Sequence, residues 1–135
     1  MIKHMTFQKI AGVSLTILFS ITMVFHLLVL TSIIDFHLVW GGRLHSKTEM
    51  VQFETVSLIV NLLFLIIVAL KMNWLRFRFP KVVVTVLLWL MAVVFSLNTL
   101  GNLVSLNRLE TIVFTPITLV SAVFCVVLAL AKPTN

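Results

Sequence analysis

Charge is what this chain has least of. Of its 135 residues 10% are charged against 61% hydrophobic, and the acids number four to ten Lys and Arg. A water-soluble domain carries about a quarter charged residues, so the polar surface that keeps a globule in solution is missing. There is one cysteine, Cys125, which excludes an intrachain disulfide; its place in an apolar stretch predicts a small buried hydrophobe. Chemical signatures are scarce too. The chain has no His-Glu-x-x-His, no cysteine pair, no nucleophile elbow and no P-loop pattern. Those absences remove the familiar zinc-hydrolase, thiol-relay, serine-hydrolase and phosphate-cradle readings.

What remains is hydrocarbon. Four apolar runs, 10–34, 51–70, 82–100 and 112–131, each meet the ~17–25 residues needed to cross a bilayer. Within lipid the backbone must satisfy its own hydrogen bonds, which predicts helices even through the β-branched Val82, Val83 and Val84. Continuous runs also argue against a transmembrane barrel, which needs short alternating segments. The first run exceeds the ~7–15 residues of a signal-peptide core and lacks a small-x-small cleavage site, so it is expected to be retained. Short connections at 71–81 and 101–111 make neighbours antiparallel. The expected fold is all-α: one integral membrane four-helix bundle over residues 1–135, without internal repeats.

Sidedness follows from the basic residues. Lys3, Lys9, Lys71, Arg76, Arg78, Lys81 and Lys132 occupy the termini and second loop, whereas Arg43, Lys47 and Arg108 occupy the first and third loops. The positive-inside rule then places both termini in the cytoplasm, as for a bacterial inner or plasma membrane protein. The acids Asp35, Glu49, Glu54 and Glu110 all fall toward the opposite side. The second loop interleaves its cations with Trp74, Phe77 and Phe79. That pattern can bind single-stranded nucleic acid, but between two spans it reads as an interfacial anchor, and no nucleic-acid partner is expected.

Polar residues inside the spans are unevenly placed. His26 sits roughly 12 Å below the expected outer end of helix 1 at 1.5 Å per residue, and Asn61 lies at a similar depth. Glu54, Ser57 and Asn61 share one helical face, as do Asn98 and Asn102, while Thr111, Thr115 and Thr118 form a stripe below Glu110. The inner halves are Leu, Val, Ile, Phe and Ala, so the pattern predicts a dry plug beneath a polar outer cup. Such groups should face one another or a wet cavity rather than lipid. A His26–Asn61 hydrogen bond would serve as interhelical glue without any ligand; an open cup would make the same residues a binding site.

The first loop is the richest in chemistry. Gly41-Gly42 permits a tight turn with positive φ, and the loop is expected to lie across the bundle as a lid anchored by Trp40. Arg43 is expected to meet Glu54 or Glu110, or to clamp a phosphate or carboxylate. Asp35, His37, His45 and Glu49 are competent metal ligands, but their spacing matches no established pattern, so solvated loop residues and no metal are expected. With His26 the one histidine inside a span, a bis-histidine haem is not expected, nor any other cofactor. Pro116, early in helix 4, predicts at most a modest kink.

In length and four-span layout the chain resembles small bacterial transporters, including the small multidrug resistance and fluoride channel families. The likeness is one of size: the former place a key glutamate within helix 1, where this chain has His26 and no acid. The expected function is non-enzymatic binding of a small polar, ionic or lipid-head ligand in an outward-facing pocket, with transport as one use of such a site. Glu54 would supply charge, His26 and Asn61 the floor, Asn98 and Asn102 a wall, and Arg43 with Trp40 the lid, with Glu110 also among the ligand-binding residues. Two alternatives have other surfaces at work: an accessory subunit docking a larger membrane partner, or a lipid-modifying enzyme using His37 or His45. Membrane lipids are expected neighbours in every case, and a homo-oligomer is compatible with four spans.

Overall fold

A computed structural model describes residues 2–132, with side chains from Thr6 to Lys132; Lys3 and His4 lie outside the described side chains. Helix α1 covers Ile2–Leu30, α2 Lys47–Lys71, α3 Lys81–Leu103 and α4 Thr115–Leu130, the last preceded without a break by a π-helical turn, Glu110–Phe114. No strand occurs among the described residues. All four helical segments are long and apolar enough to cross a membrane, counting the fourth from Glu110. At 1.5 Å per residue α2 is roughly 38 Å long, which exceeds the ~30 Å hydrocarbon core.

The helix ends are set by backbone closure rather than by hydropathy. Although apolar residues continue to Ile34, α1 stops at Leu30, because Ser32 turns left-handed at φ 60°. The Ile33 N–H donates to the Leu28 carbonyl at 2.9 Å and the Ser32 N–H to the Val29 carbonyl at 2.9 Å, a Schellman closure. His26 therefore lies about 6 Å from the helix end rather than the 12 Å expected from a longer span. The same closure ends α2: Asn73 has φ 56°, Trp74 N–H reaches the Ala69 carbonyl at 3.0 Å, and Asn73 N–H reaches Leu70 at 3.2 Å. Asn tolerates that conformation better than most residues. At the start of α2, Ser46 Oγ caps the helix by accepting the Glu49 N–H, while the Glu49 carboxylate reaches back to accept the N–H of His45, the residue before the cap.

The four helices alternate in direction. Lys71 Nζ donates to the Ala131 carbonyl at 2.8 Å, joining the C-terminal ends of α2 and α4 at the end of the bundle that carries the chain termini. Nearby, the Met72 side chain, just past the end of α2, packs on Gly12 of α1; a Cβ there would lie 2.5 Å from Met72 Sδ, and the flexible thioether would have to move aside. α3 packs most extensively on α4, α1 packs on α2 and α4, and of these neighbouring pairs α2 and α3 meet most sparsely. That thin α2–α3 seam determines where the interior can be reached.

Two apolar clusters hold the bundle. The larger, which includes Leu15, Phe19, Val68, Leu88, Met91, Cys125 and Leu128, fills the end that carries the termini. Cys125 is fully buried within it, and burial suits a small apolar side chain. The smaller cluster, Val29, Val39, Leu44 and Met50, lies under the first loop. The outer faces are apolar as well, with Ile17, Ile21, Val86, Leu97 and Val123 more than half or about half exposed. Such a surface is unsuited to water, and a bilayer accommodates it.

Candidate functional site: a lidded cavity between the helices

The first loop builds the lid in two short turns. Asp35 caps the first, Phe36–Leu38: its carboxylate accepts the His37 N–H at 2.9 Å and pairs with His37 Nδ1 at 2.7 Å. The backbone bond, then the side-chain bond, hold this exposed carboxyl below the usual Asp range. The second turn, Trp40–Gly42, has three successive left-handed residues, at φ 56°, 64° and 70°. Glycine at 41 and 42 permits this without a Cβ clash, whereas Trp40 adopts it at a cost met by its side-chain contacts. The reversal sends Val39 into the smaller core and lays the Trp40 ring against Phe53 of α2, with centroids 5.1 Å apart.

Two carboxylates fasten this lid. Glu54 is 1% exposed, and its Oε1 accepts the Trp40 Nε1–H at 2.8 Å while its Oε2 meets His26 Nδ1 at 2.6 Å. One side chain thus joins α1, α2 and the loop. Glu110 does the same on the far side. Its Oε1 accepts the Gly41 N–H at 2.7 Å and its Oε2 accepts the Ser105 hydroxyl at 2.6 Å. The Asn107 amide also donates to the Leu38 carbonyl, so the α3–α4 connection holds the loop at two points.

Beneath the lid is a cavity of about 380 Å³ to which all four helices contribute. Its floor is a cluster of three rings, Phe19, Phe64 and Phe95, with centroids 5.3 to 5.8 Å apart. Its walls carry His26, Glu54, Ser57 and Asn61 on one side and Asn98, Asn102, Thr118 and Ser121 on the other. Apart from the lid's own Trp40, the lining residues that are exposed are Val56 and Val60 of α2 and Val94 and Asn98 of α3. The mouth therefore lies along the α2–α3 seam, at the side of the bundle. The end expected to open outward is covered by the lid.

Hydrogen bonding separates the lining into satisfied and open groups. Thr118 accepts from Thr99 at 2.9 Å and itself donates to Phe114, while Ser121 donates to Ile117. Asn102 makes a long contact to Thr118 at 3.5 Å. Asn61 is different. It is 6% exposed, faces the cavity, and its amide forms no hydrogen bond with any described residue.

Of the sequence-predicted residues, seven line this cavity: His26, Trp40, Glu54, Asn61, Asn98, Asn102 and Glu110. Arg43 does not. It is exposed and makes no ion pair with Glu54 or Glu110, whose oxygens are already taken by Trp40, His26, Gly41 and Ser105. Nor does the expected His26–Asn61 bond form, because Glu54, one helical turn nearer the lid than Ser57, holds His26 Nδ1 instead. Of the threonine stripe only Thr118 reaches the cavity: Thr111 turns to the backbone carbonyls of Asn102, Ser105 and Asn107. The π turn before Pro116 changes the register there, a wider distortion than the modest kink expected. Sequence reasoning missed Ser105 and Asn107, which no spacing rule connects to the first loop. No group of three His, Cys, Asp or Glu side chains suited to a metal occurs among the described residues.

These features define a small polytopic α-helical membrane protein with a capped, side-opening cavity. Comparison with protein-family models, with curated proteins and with solved structures finds no match to this chain.

Proposed function

We propose that this protein binds a small amphiphile drawn from the bilayer, with the polar part of the ligand at Asn61 and Asn98 and its apolar part over the phenylalanine floor. The observation that carries this reading is the Asn61 amide, which opens into the cavity and has no protein partner. A ligand carbonyl or hydroxyl entering the cavity would meet this free amide and gain a hydrogen bond without displacing any protein partner. The cavity volume falls within the ~300–1,000 Å³ usual for small-molecule pockets. A mouth between α2 and α3 favours a ligand that already resides in lipid.

Glu54 and Glu110 have a structural part in this reading. Their oxygens hold the lid, so the ligand takes its polar contacts from neutral amides and from the free edge of the His26 ring. With the termini in the cytoplasm, the lid faces the exterior and closes that approach. The cavity then exchanges with the membrane and not directly with water.

Native mass spectrometry of gently extracted protein tests the proposal. Wild type should carry a small amphiphilic adduct that Asn61→Leu loses. Because Asn61 gives up no protein hydrogen bond, Asn61→Leu should keep or raise the thermal midpoint, which separates lost binding from misfolding. An adduct retained equally by Asn61→Leu, or none on wild type across a lipid panel, would remove the basis for this reading.

A further inference from the structure

At the opposite end of the bundle the α2–α3 connection folds around a second concavity, of about 570 Å³. Lys71, Arg76, Arg78 and Lys81 line it, over an apolar base that includes Leu70 and Val84. We infer that this concavity is a binding site for a phospholipid headgroup carrying two or more negative charges. The inference is independent of the amphiphile cavity and shares no residue with it.

The charge arrangement is the first argument. No acid occurs between Glu54 and Glu110, so nothing in this loop neutralises its cations. Among the described residues, Arg76, Arg78 and Lys81 form no side-chain hydrogen bond or ion pair, and Lys71 has only the Ala131 carbonyl. Four cations around one hollow repel one another unless an anion sits among them. Guanidinium groups suit phosphate oxygens in particular, because their forked N–H donors bind in pairs.

Position decides the source of the phosphate. Trp74, Phe77 and Phe79 are 49%, 79% and 51% exposed on the same short segment, beside helices that end at the membrane surface. Aromatic side chains so placed settle at headgroup depth, which holds the hollow where lipid phosphates lie. Charge matching decides the class. A single phosphodiester would offset one of the four cations, whereas a diphosphorylated headgroup offsets two or more and has room in the observed volume.

The test compares cardiolipin, with two phosphates, against phosphatidylglycerol, with one, on the full-length protein by native mass spectrometry at matched total lipid charge. Wild type should retain cardiolipin preferentially. The double variant Arg76→Gln/Arg78→Gln should retain cardiolipin roughly tenfold or more weakly and lose the preference, since each cation near an anionic surface contributes about fivefold in binding. Lys9→Gln removes a charge from the same end of the bundle but outside the hollow, and should leave the preference intact. Circular dichroism of each variant checks that the helices persist. Equal retention of the two lipids, or an equal loss in Lys9→Gln, would show diffuse attraction and overturn the site. Binding of inorganic pyrophosphate by a protein that retains no cardiolipin would overturn the assignment to a lipid.

Discussion

Gly41 and Glu110 are 69 residues apart, and the amide of one meets the carboxylate of the other at 2.7 Å. That contact crosses the bundle from the first loop to the start of the fourth span. With Trp40 bound to Glu54 on the other side, it makes the loop a strap fastened at both edges.

Glu110→Ala should release one edge. Hydrogen bonds to a charged acceptor contribute about 1.5–3 kcal/mol, so amide exchange at 38–43 should accelerate by roughly ten- to hundredfold. Glu110→Gln should fall between, because its carbonyl can still accept from Gly41 while its NH₂ changes the bond to Ser105. Exchange unchanged in both variants would contradict the strap.

Trp40→Phe keeps the ring packing against Phe53 but deletes the donor to Glu54. A buried carboxylate oxygen left without its partner costs about 1–3 kcal/mol, and the thermal midpoint in detergent should fall accordingly. In a Glu54→Ala background the same change should cost far less. Additive losses would mean the bond contributes little.

Gly12→Ala tests the α1–α2 contact at the other end. The added methyl would lie 2.5 Å from Met72 Sδ, so the flexible thioether must swing aside, which offsets part of what alanine gains. Alanine is otherwise the better helix former, by about 1 kcal/mol. With Met72→Ala in place, the substitution should therefore stabilise more than it does beside Met72. The larger gain in the Met72→Ala background is readable from two pairs of melting curves.

Asp35 predicts a pH dependence confined to the lid. Its folded pKa is lowered from the ordinary 3.8, chiefly by the backbone bond from His37. A depressed carboxylate stabilises the fold above its unfolded value and loses that contribution as pH falls through the lower folded one. The first turn should hold its cap from neutral pH down to about 4 and release it below that. Asp35→Asn should flatten this transition in an NMR titration of the His37 amide.

The site was only partly legible in the sequence. Glu54, Ser57 and Asn61 could be placed on one face because a helix repeats every 3.6 residues, and all three do line the cavity. Trp40 could be expected to anchor a lid because the apolar Leu38, Val39 and Trp40 return the loop toward the membrane interface. Arg43 misled, since opposite charge suggested a partner for the two acids. The nearer donors were neutral: an indole, a ring nitrogen, a backbone amide and a hydroxyl, already aimed by the turn and the helix ends. The exit of α1 misled for a related reason. Hydropathy continues through Ile33 and Ile34, while the backbone reverses at Ser32.

Composition and periodicity by themselves determined the four spans, their alternating direction, the apolar end and the polar end. These depend on the cost of exposing polar groups to hydrocarbon, which each stretch meets locally. Tertiary structure alone decided that the polar end is covered, that the entrance is the sparse α2–α3 seam, and which polar groups stay unpaired. Those outcomes depend on which of several nearby donors lies closest in space, and distances across a bundle are not written in the spacing of any one helix.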